Sequence, residues 1–170
     1  AFSSGAELYL PEYIINANEI GQLYGGKGEM DLEALLAAAP DVVIDVGETK
    51  SSTKEDLQAL TEQTGIPFVH VCATVNTAPD AYRMLGELLG REEQAEELAL
   101  WCQNTLDRIG ALMEKVDADA ARKTLLYCLG DAGVNVMAEG SFHADTINTM
   151  GKNLAVVDDV VPHGDGNESD

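Results

Sequence analysis

The chain has 170 residues, 45% of them hydrophobic and 24% charged, the composition of a globular protein able to bury one good core or two small ones. Thirty acidic against ten basic residues leave a formal charge of −20, which repels phosphate backbones and anionic membranes and favours neutral or cationic ligands over nucleic acid. No apolar run is long enough to span a membrane, and Cys72, Cys102 and Cys128 sit far apart in apolar segments without a Cys-x-x-Cys pair, so buried thiols are expected.

Residues 1–24 carry no clear periodicity. Gly25-Gly26-Lys27-Gly28 forces a turn, and Asp31 begins a helix in which Leu32, Leu35 and Leu36 share a face until Pro40 stops it. The glycines at Gly21 and Gly26 to Gly28 fall short of a phosphate loop, because position 28 offers no hydroxyl for Mg²⁺ and no strand precedes them. Val42 to Val46 is a continuous apolar run suited to a strand covered on both faces. A polar loop from Gly47 to Thr53 leads into a helix over residues 54–63, and Phe68 to Cys72 forms the next strand. Strand, helix and strand at this spacing specify a right-handed parallel crossover, which brings the loops after both strands to one edge of the sheet.

Pro79 to Leu89 reads as a helix, punctuated by Gly90. From Arg91 to Val116 the residues Ala95, Leu98, Cys102, Leu106, Ile109, Met113 and Val116 recur at three- and four-residue steps, the mark of a long amphipathic helix. About 25 residues at 1.5 Å each reach roughly 35 Å, enough to act as a spine between two α/β bodies. Beyond it a strand is expected from Leu125 to Leu129, with Val134 to Met137 extending it or returning as a short ribbon, a helix from Phe142 to Met150 capped by Gly140-Ser141, and a last strand from Leu154 to Val157. Trp101, on the spine, and Tyr127, within a strand, are expected in the core.

In order and spacing the segments GGKGEMDLEALLAAAPDVVI (25–44), GIPFVHV (65–71), YRMLGELLGREEQAEELA (82–99) and AEGSFHADTINTMGKNLA (138–155) together resemble the solute-binding proteins of ABC importers for ferric siderophores, haem and cobalamin. The resemblance implies two Rossmann-like parallel-sheet lobes joined by a long α-helix, with residues 1–90 part of the N-terminal lobe, 91–117 the interlobe helix and 118–170 the first part of the C-terminal lobe. Against that family both lobes look truncated, so a fragment is expected, and the start at Ala1 without Met is consistent with removal of a leader. The family implies a noncatalytic receptor without a cofactor of its own, whose ligand is an iron chelate, haem or corrinoid. It implies a membrane permease as partner and a place outside the cytoplasmic membrane, in the periplasm or as a cell-surface lipoprotein.

Ligands of open parallel sheets bind beyond the carboxyl ends of the strands. The cleft candidates are therefore Glu48, Lys50, Ser51 and Asn76 on the first lobe, and Asp131, Asn135, Glu139 and His143 on the second, where the resemblance places cleft residues. Each is equally an ordinary polar loop residue. His70 lies among Phe68, Val69 and Val71 and is expected to be packed rather than to bind a ligand. His163 beside Asp165 is a weak chelating pair, and Asn167-Glu168-Ser169 a chance glycosylation triplet. Two rivals stay open: a Zn²⁺ or Mn²⁺ receptor using His70, His143 and carboxylates, which needs three or four converging ligands, and a nucleotide-using α/β enzyme. No nucleophile elbow, His-Glu-x-x-His or supported Ser/His/Asp order is present.

Overall fold

The computed structural model describes residues 20–21, 23, 30–116, 122–130, 132–133 and 135–157, which divide after Asp41 into two units. In the first, the Asp31 carboxylate accepts the Ala34 amide at 2.9 Å and starts helix α1 (Leu32–Ala38). Ala39 ends it in the left-handed region at φ 45°, its amide donating to the Leu35 and Leu36 carbonyls, with Pro40 next. Start and stop are those expected from sequence. Gly25 to Gly28, and with them the phosphate-loop question, lie outside the described residues, as do Asp131, His163, Asp165 and the Asn167 triplet.

The second unit begins with the expected crossover. Strands β1 (Val43–Gly47) and β2 (Phe68–Cys72) pair in parallel, Asp45 opposite His70 and Gly47 opposite Cys72, with helix α2 (Thr53–Thr64) between them. Gly65, at φ 74°, supplies the left-handed residue that ends α2. Thr61 ties helix to strand: its hydroxyl donates to the Leu57 carbonyl at 2.8 Å and accepts the Phe68 amide at 3.2 Å. Helices α2 and α3 (Ala78–Leu89) both pack on β2. Since Phe68 and His70 turn toward α2, Val69 and Val71 face the other way, and Val71 is 0% exposed. β1 is only partly buried and its Val46 is exposed, so it is not covered on both faces as its sequence suggests; the sheet has two strands among the described residues.

Gly90, left-handed at φ 62°, turns the chain from α3 into α4 (Glu92–Met113), a continuous helix of 22 residues where the sequence predicts one over 91–116. The two helices approach closely because small residues meet: Gly86, Ala95 and Ala99 are buried, and a Cβ on Gly86 would collide with that of Ala95. At the rim Arg83 grips Glu96 through two nitrogens at 2.8 and 3.1 Å and reaches Asp80 at 3.3 Å. This contact fixes the buried stripe on Ala95 and Ala99, not on Leu98, which lies about 100° round the helix from Ala99 and is exposed. Trp101, expected in the core, lies on that outer side and is 69% exposed. The far end of α4 meets the rest of the unit, Met113 and Val116 enclosing a cavity of about 250 Å³ with Leu125, Ile147 and Met150.

Residues 122–157 depart more from expectation. The single strand expected over 125–129 is two: β3 (Thr124–Leu125) pairs in parallel with β6 (Lys152–Asn153), and β4 (Cys128–Leu129) pairs antiparallel with β5 (Asn135–Val136). Leu126 and Tyr127 are where the chain changes partners, and Tyr127, expected in the core, is exposed. Of the two alternatives for Val134 to Met137 the chain takes the return, turning through Gly130 and Gly133, both at positive φ. The helix after Ser141 is a 3₁₀ turn (Phe142–Ala144) running into α5 (Asp145–Met150), and the Ser141 side chain makes no cap bond. The last strand falls at Lys152–Asn153 because pairing resumes directly after Gly151, so Leu154 and Val156 are left exposed. Asn153, 4% exposed, holds this part together: its amide nitrogen donates to the Met137 carbonyl at 3.0 Å and to Asn148 at 3.2 Å, and its oxygen accepts the Ala155 amide at 3.0 Å. The cysteines are not buried thiols. Cys72 closes a strand and Cys128 lies on the two-stranded ribbon, both exposed, and Cys102 is half-buried. No helix among the described residues is long and apolar enough to cross a membrane.

Candidate functional site

The parallel pairing ends at Gly47 and Cys72, where the Ala73 amide still reaches the Gly47 carbonyl at 2.9 Å. The loops that follow, residues 48–52 and 73–77, therefore leave the sheet side by side. Threonines fix both. In the first, the Lys50 amide donates to Thr53 Oγ1 at 2.9 Å and the Thr53 amide returns to the Lys50 carbonyl at 3.2 Å. In the second, the Thr74 amide donates to Thr77 Oγ1 at 2.8 Å, the Thr77 amide to Thr74 Oγ1 at 3.2 Å, and the Thr77 hydroxyl to the Cys72 carbonyl at 3.2 Å. Such side-chain to main-chain bonds are what threonine offers a backbone that has left regular structure.

A chain of polar side chains crosses the sheet toward the first loop. Asp45 Oδ2 lies 2.7 Å from His70 Nδ1, and His70 Nε2 lies 2.8 Å from Thr49 Oγ1. Side-chain exposure is 14% for His70 and 23% for Asp45, while Thr49 is exposed. His70, Thr49, Lys50, Ser51 and Lys54 contribute to the wall of an open groove of about 730 Å³ whose floor includes Leu57 and Phe68. Two cationic side chains, the Glu62 carboxylate and the hydroxyls of Thr49, Ser51, Thr53 and Thr61 beside an apolar floor suit a solute that is partly apolar and carries polar edges.

Of the first-lobe candidates, Lys50 and Ser51 line this groove. Glu48 is half-buried in the same loop without lining it, and Asn76 is exposed in the neighbouring loop. Of the second-lobe candidates, Asn135 is exposed on the ribbon opposite Leu129, and Glu139 is exposed with its amide donating to the Ala155 carbonyl at 2.7 Å. His143 is exposed on the 3₁₀ turn, its ring edge-on to Phe142 with centroids 5.3 Å apart. None of these three lines the groove.

His70 is largely buried, in line with the expected packing, but it is held by Asp45 and Thr49 and faces the groove, which its apolar neighbours conceal in the sequence. The signal for its pairing was present: Asp45 is the third residue of one strand and His70 the third of the other. With both ring nitrogens engaged, His70 has no lone pair ready for a metal, and no group of three His, Cys, Asp or Glu among the described residues is arranged to hold one.

Residues 16–158 match the family described as periplasmic binding protein. Among solved structures the chain is similar to an ABC transporter solute binding protein from Sulfurospirillum deleyianum, at 25% identity and a TM-score of 0.78, covering 94% of this chain and 49% of that one. It is also similar to an ABC transporter substrate-binding protein from Listeria monocytogenes, at 21% identity and a TM-score of 0.65, covering 89% of this chain and 55% of that one. A periplasmic heme binding protein from Pseudomonas aeruginosa aligns at 21% identity and a TM-score of 0.58, over 79% of this chain and 49% of that one. The chain thus spans about half the length of the solved proteins it matches.

Proposed function

This chain belongs to the periplasmic binding protein family, and we propose that it forms part of the solute-binding component of an ABC importer, a noncatalytic receptor acting outside the cytoplasmic membrane. Residues 1–90 then supply part of one lobe, residues 91–117 the helix between lobes and residues 118–170 the first part of the other. Its ligand is a ferric siderophore, haem or a corrinoid, and the haem in the description of the Pseudomonas aeruginosa relative keeps haem in that set. Glu48, Lys50, Ser51 and Asn76 meet the ligand from one side and Asp131, Asn135, Glu139 and His143 from the other, before transfer to a membrane permease.

The observation that carries this proposal is the pair of threonine-fixed loops at the carboxyl ends of β1 and β2, where open α/β sheets take ligands, with Lys50 and Ser51 at the groove. A helical link such as α4 resists the wide hinge opening that strand linkers permit, so the lobe angle changes little on binding. Affinity then comes from loops already in position, which lose little entropy when the ligand arrives.

The test is a binding panel on the full-length protein: a ferric catecholate, a ferric hydroxamate, haemin and cobalamin, followed by absorbance and tryptophan fluorescence. One of these binds, and the double substitution Lys50→Ala, Ser51→Ala weakens it about tenfold, the loss of roughly one good polar contact. No binding across the panel, or binding of ATP or NAD in its place, overturns the assignment.

A further inference from the structure

The loop from Glu48 to Ser52 has left the sheet, yet its Thr49 is tied back to the centre of β2. The polarity of that tie has a single solution when the ring is neutral. An ionised carboxylate can only accept, so the Asp45 contact at 2.7 Å places the ring proton on Nδ1 of His70. Nε2 is then a lone pair, and the Thr49 hydroxyl, 2.8 Å away, must donate to it. Packing alone does not call for this arrangement, because Thr49 is an exposed loop residue and the strand register already holds Asp45 against His70.

We infer that Asp45 and His70 are positioning residues: Asp45 sets the His70 tautomer, His70 Nε2 accepts the hydrogen bond of the Thr49 hydroxyl, and the groove-lining loop is thereby held in its binding shape before any solute arrives. A second consequence concerns selectivity. With its proton committed to His70, Thr49 offers the groove only oxygen lone pairs, so at this point the site favours a solute that presents an N–H or O–H donor. The purpose of the loop rests on the receptor proposal; the tie itself does not.

The full-length protein, without ligand, is compared with Thr49→Val, Thr49→Ser and Asp45→Ala by amide hydrogen exchange and by nitrogen NMR of the His70 ring. The parent ring is expected in the Nδ1–H tautomer. In Thr49→Val the amides of residues 49–51 exchange about fivefold faster, as for the loss of one hydrogen bond, while those of β1 keep their protection. Thr49→Ser, which retains the hydroxyl, restores the parent rate, and Asp45→Ala mixes the two tautomers. Unchanged exchange in Thr49→Val, or an Nε2–H ring in the parent, overturns the inference, and the Thr49 pair decides it even if Asp45→Ala fails to fold. Because no ligand is present, failure here leaves the receptor proposal standing, and failure of the ligand panel leaves the tie standing.

Discussion

Val71 and Asn153 are the buried centres of the two parts that α4 connects, and they hold those parts by different means. Around Val71, β2 of a five-residue strand pair packs against two helices, so the core is apolar and its contacts are spread over many atoms. Around Asn153 the strands are two residues long, and one side-chain amide replaces the missing ladder with three directional bonds. The first kind of core tolerates small shifts because dispersion falls off gradually; the second fails bond by bond. The threonine-fixed loops stand on the former.

The comparison breaks most sharply at glycine. Gly86→Val drives side-chain atoms into Ala95 and toward main-chain atoms of Arg91 and Glu92 at 3.3 Å, which cannot yield without parting α3 from α4. The expected cost is about 3 kcal/mol in urea unfolding. In the other part, Gly151→Ala meets Leu125 Cδ1 at 2.9 Å and the Ile147 carbonyl at 3.2 Å, with φ −125° imposing no strain. Leu125 is exposed and can turn aside, so the cost stays near 1 kcal/mol. Equal losses would mean that the close helix contact does not anchor the first part.

Next in size are the two centres themselves. Val71→Ala removes two buried methyl groups and is expected to cost about 2 kcal/mol, with protection from hydrogen exchange falling across both strands and their helices. Asn153→Ala strands the Ala155 amide and the Met137 carbonyl, about 1.5 kcal/mol, with the loss of protection confined to residues 122–157. Exchange spreading from Asn153 into β1 and β2 would merge the two parts into one cooperative body.

The smallest effect belongs to the rim of α3 and α4. Its hydrogen bonds to Arg83 hold the Glu96 carboxyl below the usual carboxylate range, and the same contact raises Arg83. A lowered carboxyl contributes stability above its unfolded titration range and loses it as pH falls through the folded one. Thermal midpoints of the parent and of Glu96→Gln are therefore expected to differ slightly at neutral pH and to converge in acid. A gap that persists in acid, or is unmoved by salt, would assign the effect to packing instead.

The part around Val71 was the more legible in sequence, for the same reason that it is the better built: the apolar runs at 42–46 and 68–72, separated by one helix, admit a single topology. In the other unit, Asp31 and Pro40 punctuate α1 through local signals. What escaped was decided by tertiary contact. Leu98 and Trp101 look as fit for a core as Ala95 and Ala99, and only the approach of Gly86 selects the smaller pair. Residues 124–129 read as one strand because nothing local shows that Leu125 will pair with Asn153 and Leu129 with Asn135. Lys50 and Ser51 were found at the groove by following the carboxyl ends of the strands, whereas the pairing of Asp45, His70 and Thr49 needed the register.

Thr74 and Thr77 hold the second turn largely through threonine oxygens and main-chain groups. The side chains carried between them, at positions 75 and 76, can consequently be exchanged while that turn keeps its shape. A mount that stays constant beneath interchangeable fittings lets one scaffold be retuned from one cargo to another by a handful of surface changes, without rebuilding anything underneath.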